Sequence, residues 1–201
     1  MKHFFIIFLL YSSYICSAQN GNNRTTFQTK LNLQYGNKQS TPLKKEELRN
    51  FKGLPFYPYD SNMVVIANLT LTPNSPLFKM KTSSDREPFY QQYAIATFIL
   101  KDQKQELHIY QSQESKFNFD YKDHLFLPFK DLSNGLETYE CGRYIDLSIR
   151  DINNNALVID FNKAYNPYCA YNHLYSCPIP PTENHLQIWV KAGVKKGLLK
   201  Y

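Results

Sequence analysis

"YAIATFILKDQKQELHIYQS", Tyr93 to Ser112, decides the fold class. Two runs rich in β-branched and aromatic residues flank the polar turn "KDQK", and together they read as an antiparallel hairpin. The same grammar continues on both sides. Upstream, "MVVIANLTL" (63–71) is β-branched and apolar. Downstream, "FNFDY" (117–121) alternates Phe117, Phe119 and Tyr121 against Asn118 and Asp120, and "LFLPF" (125–129) follows, its Pro128 predicting an edge or a strand end. "YIDLSIR" (144–150) and "ALVIDF" (156–161) bracket "DINNN" (151–155) as a second expected hairpin. Its Ile145, Leu147 and Ile149 point one way and its Tyr144, Asp146 and Ser148 the other. "LQIWVKA" (186–192) is expected to close the sheet. About eight strands predict a mainly β, single-domain antiparallel sandwich or partly open barrel, with one or two short helices on an end or face.

The expected helix is "STPLKKEELRNF" (40–51), with Thr41 as cap, Pro42 at the first helical position, and an end at Gly53. Before it, residues 19–39 are a polar leader in which weak alternation in "FQTKLNLQY" allows one strand. The domain proper is expected over 40–201. At the start, Lys2, the apolar run Phe4 to Leu10 and the small residues before Gln19 have the layout of a secretory signal peptide, residues 1–18, cleaved after Ala18. That run is too short to span a membrane, so the mature chain is expected in the periplasm or outside the cell, with no transmembrane segment.

Composition narrows the function classes. The chain is 43% hydrophobic, with 16 Tyr and 14 Phe against 7 Gly, which excludes disorder. Its net charge of +6 comes from scattered lysines, with no basic run interleaved with stacking aromatics, so nucleic acid is not an expected partner. HExxH, GxSxG and glycine-rich phosphate loops are lacking, and no cofactor is implied.

The segment "DFNKAYNPYCAYNHLYSCPIPPTENH", Asp160 to His185, carries the chemistry. Cys169 and Cys177 enclose nine residues counting both ends. In an oxidising compartment a disulfide is the default, worth about 2.5 kcal/mol on the chain-entropy model. A metal site recruiting Cys141 with His173 or His185 is the alternative, as is a cysteine nucleophile with Asn184 and His185. Tyr165, Tyr168, Tyr171 and Tyr175 recur at three- or four-residue steps, either as local core or as the walls of an aromatic pocket. Arg143 opens a strand after a glycine turn, where a guanidinium can fork onto a carboxylate or phosphate, or form a buried ion pair with Asp146, Asp160 or Glu183. Because the expected hairpin returns Asn162 to the side of Arg143, the ligand-binding set is Arg143, Tyr144, Asn162, Asn166, Tyr171, Glu183 and Asn184. The partner would be a small molecule or glycan. A hydrolase using Glu183 with Arg143, and a purely structural envelope protein, are the competing readings.

The blocks "GLPFYPYD", "LFLPFKDLSNGLETYECGRYIDL" and "DFNKAYNPYCAYNHLYSCPIPPTENHLQIWVKAG" resemble the family of domain of unknown function 1684, from about Ser40 to Lys195. The resemblance implies a compact single domain and no particular activity. Cys141 stands where the family tends to have a small residue before "GRY".

Overall fold

The computed structural model describes residues 22–197, so the expected signal peptide lies outside the described residues. Seven strands form one antiparallel sheet: β1 (Val64–Leu71), β2 (Leu77–Lys79), β3 (Phe89–Leu100), β4 (Gln103–Ser112), β5 (His124–Phe129), β6 (Arg143–Ser148) and β7 (Ala156–Asp160). The order is β6-β5-β4-β3-β1-β7, with β2 added beside β3. The sheet curls into a half-barrel, the partly open form of the expected mainly β architecture. Near its open seam, just past β7, Tyr165 exchanges both backbone hydrogen bonds with Tyr144 of β6.

The β3/β4 hairpin turns at Lys101 and Asp102, both at positive φ, in the twist that two-residue hairpins favour. Strand alternation then sorts the side chains. Leu107 and Ile109, Leu125 and Leu127, Ile145 and Leu147, and Leu157 and Ile159 all enter one apolar core inside the curl, together with Phe98, Phe129 and Phe161. Tyr90, Tyr110, Phe126 and Tyr144 form a separate cluster with Met80 on the outside. A bulge between Gln92 and Ala94 lets β3 serve both layers.

Five local expectations are corrected. β6 and β7 do not pair: β6 lies beside β5, and β7 crosses to β1 at the other end of the sheet. Asn154 and Asn155 do make a positive-φ turn, but it joins only Asn153 to Ala156. "FNFDY" is no strand, because the Asn118 side chain accepts the Asp120 N–H and local turns take the backbone, leaving Phe117 and Phe119 exposed. "LQIWVKA" keeps its alternation, with Leu186, Ile188, Val190 and Ala192 in the core, but runs across the barrel opening bonded to residues 130–132 instead of extending the sheet. The polar leader is helical, as α1 (Asn22–Gly36). Phe27, Leu31 and Tyr35 recur every fourth residue, and Tyr35 is fully buried. The second helix, α2 (Lys45–Arg49), begins later than expected, since Thr41 caps a turn at Leu43 while Glu47 accepts the Lys44 N–H.

Candidate functional site

Arg143 is anchored inside the barrel. Its guanidinium is completely buried, 2.7 Å from Asp131 Oδ2, and donates to the carbonyls of Val190 and Ala192. Asp131 also accepts the N–H groups of Ser133 and Val190, so one ion pair clamps the C-terminal stretch across the opening. The partner is thus Asp131, which the sequence reading did not weigh, and the side chain is closed to solvent.

The asparagines work as substitutes for backbone pairing. Asn184 accepts the N–H of His108 and donates to the carbonyls of His108 and Pro128, filling the gap where β5 parts from β4. Asn162 exchanges two hydrogen bonds with the backbone of Asp60. Asn166 donates to Tyr171 Oη and to the carbonyl of Lys195. All three are buried. Glu183 accepts from Tyr110 Oη at 2.8 Å on the outer face, away from Arg143. Burial first, and then this hydrogen bond, raise the Tyr110 hydroxyl far above its ordinary value. The seven expected ligand-binding residues are therefore not gathered at one opening.

Tyr144 does reach a cavity. Its ring continues an outer aromatic ladder, 4.7 Å from Phe126 and 5.9 Å from Tyr165 between centroids, and its hydroxyl donates to the carbonyl of Pro178. Beyond Tyr165 the rings of α1 and the loop take over: Tyr35 lies 5.9 Å from Tyr168 and 5.0 Å from Tyr171, and Tyr168 lies 5.2 Å from Tyr175. Tyr144, Tyr165, Tyr168 and Tyr175 wall a cavity of about 540 Å³ whose other side is α1, with Phe27, Lys30 and Gln34. Asp146 supplies a carboxylate at its edge. It accepts from Tyr165 Oη at 2.9 Å and lies 2.9 Å from His124 Nε2. Burial, and then Asp146, hold the Tyr165 hydroxyl protonated. A larger cleft of about 770 Å³ between α1 and α2 takes in Tyr171, the one loop tyrosine that does not line the first cavity.

Cys177 also lines the aromatic cavity. It is a free thiol beside Cys169, whose backbone N–H points at Cys177 Sγ from 3.1 Å. Cys141 is free as well, and among the described residues no group of three or more His, Cys, Asp or Glu is placed to hold a metal ion.

The family model described as "Protein of unknown function (DUF1684)" matches residues 49–195. The chain belongs to this family. A DUF1684 relationship also agrees with the strands and the loop from β7 onward falling inside the matched range. The solution NMR structure of an uncharacterized protein of Haloarcula marismortui is similar, at 30% identity and a TM-score of 0.68, over 88% of this chain and 94% of that one. Comparison with curated proteins returns no match. Lys30, Gln34 and Asp146 were missed as cavity residues in the sequence. Asp146 could have been found from its place two residues after Tyr144 on the same outer face. The contribution of α1 was hidden by reading its four-residue spacing as weak alternation.

Proposed function

We propose that this DUF1684 protein is an exported binding domain for a small polar molecule such as a sugar, held in the tyrosine cavity. The observation that carries the reading is the conjunction of four tyrosines with one carboxylate around about 540 Å³, a size suited to a small ligand. Tyrosine faces stack on the apolar face of a sugar or another ring, while Asp146, Gln34 and Lys30 offer an acceptor, an amide and a cation to its polar groups. Wall and support have separate residues. Tyr144 lines the cavity directly; Asn162 and Asn166 hold the loop, Asn184 pins its far end, and Arg143 clamps the strand start from the inner side. Export rests on the leader, with Lys2, the apolar run Phe4 to Leu10 and small residues before Gln19.

Glu183 and Arg143 lie on opposite faces of the sheet, so no shared centre supports the hydrolase reading. The test is native mass spectrometry of the mature chain with a panel of mono- and disaccharides. One or more sugars should give a saturable adduct that Tyr168→Ala and Asp146→Asn each weaken at least about tenfold. Adducts unchanged in both variants, or none across the panel, would contradict the proposal.

A further inference from the structure

Cys169 and Cys177 are brought together by folding in a setting that suits exchange. Tyr168–Ala170 form a short helical turn that brings the Cys169 N–H to 3.1 Å from Cys177 Sγ. The other side of Cys177 is fixed. Its N–H donates to Ser83 Oγ at 3.1 Å and its carbonyl accepts the Ser83 N–H at 2.9 Å, which holds the loop on the turn after β2. Tyr139 Oη sits 3.8 Å from Cys169 Sγ, adding a polar neighbour. Cys169 is partly exposed, whereas Cys177 is buried in the chain but opens onto the tyrosine cavity.

We propose that Cys169 and Cys177 are a reversible thiol–disulfide pair in the wall of the cavity, with Cys169 as the attacking sulfur and Cys177 as the resolving one. The hydrogen bond from the neighbouring Cys177 is the main cause that lowers the Cys169 thiol below its ordinary value, while the same contact and then burial raise Cys177, which favours the more exposed Cys169 as the thiolate. Exchange needs an organic disulfide as oxidant. The Cys169 thiolate attacks one of its sulfurs, a mixed disulfide forms at Cys169, and the first thiolate leaves. Cys177 then attacks the Cys169 sulfur, the mixed disulfide breaks, and the second thiol departs with the Cys177 proton. The organic disulfide gains two electrons and the protein loses them. The new bond joins the two ends of the loop that carries Tyr171 and Tyr175, so the redox state sets how firmly one cavity wall is held.

Oxidised glutathione added to the reduced mature chain, followed by acid quench and peptide mapping, tests this without reference to the cavity ligand. The wild type should end with Cys169 joined to Cys177 and Cys141 free. Cys177→Ser should trap glutathione on Cys169, and Cys169→Ser should react at Cys177 at least about tenfold more slowly. Dithiothreitol should restore both thiols with the far-ultraviolet circular dichroism unchanged. Equal rates in the two variants, glutathione collecting on Cys141, or a wild type that keeps both thiols in excess oxidant would overturn the proposal. So would a bond that resists dithiothreitol until the chain unfolds, which would make it a permanent staple.

Discussion

The two faces of the curled sheet are built from different chemistry. The inner face is apolar and closed, with aliphatic side chains packed around Phe98, Phe129 and Phe161, and the Arg143 guanidinium there is held by Asp131 and two carbonyls. The outer face over β4 to β6 is aromatic, and its rings extend through Tyr165 and Tyr168 to α1 around an open cavity. Both faces mix apolar bulk with polar groups. The difference is that inner polar groups meet backbone partners in a solvent-free space, while outer ones keep a side toward water. A buried guanidinium so placed fixes a chain segment; a half-exposed carboxylate beside tyrosines remains available to a ligand.

The sharpest way to break this contrast is Arg143→Ala. Leaving Asp131 buried and unpaired should lower stability by about 3–5 kcal/mol in urea unfolding, and Arg143→Met with Asp131→Leu should recover part of the loss. A variant as stable as wild type would remove the inner clamp. Asn184→Ala should cost about 1–3 kcal/mol by the same measurement. Asn184→Asp should be no milder, since a carboxylate cannot donate to the carbonyls of His108 and Pro128.

Alkaline pH probes the rings. Burial raises Tyr35, Tyr144 and Tyr165 above the ordinary 10.0, so ionisation favours the unfolded chain. The stability these hydroxyls contribute is fully present below pH 10 and declines as pH climbs beyond it. Tyrosinate absorbance should rise first from exposed rings and then in one step with loss of circular dichroism. A smooth titration of every ring near 10 with the fold intact would show the outer layer to be looser than described. The smallest stability effect belongs to Tyr168→Ala. This half-buried ring should cost only about 1 kcal/mol, measured by thermal unfolding, although it walls the cavity.

Strand identity was legible wherever alternation met a paired neighbour, as in Leu107 to Tyr110 and Ile145 to Leu147. Pairing order was not, because nothing in "DINNN" distinguishes a full hairpin from a turn that releases β7 toward β1. The alternation of Leu186, Ile188, Val190 and Ala192 reported burial correctly and strand membership wrongly, since a side chain's surroundings do not depend on which backbone satisfies the segment. Asp131 was invisible as the partner of Arg143, standing twelve residues earlier in an irregular stretch. The asparagines and tyrosines of the loop were recognised by type. Their roles separated only in space, the asparagines replacing strand pairing and Tyr165, Tyr168 and Tyr175 facing the cavity.

The central contrast is tested most directly by amide chemical-shift mapping of the protein during titration with a sugar that forms the saturable adduct. The account predicts that shifts concentrate on Lys30, Gln34, Tyr144, Asp146, Tyr168 and Tyr175, with the amides of Asp131, Val190 and Ala192 unmoved. Shifts centred on Asp131 and the 186–192 stretch, with the tyrosine cavity silent, would contradict it.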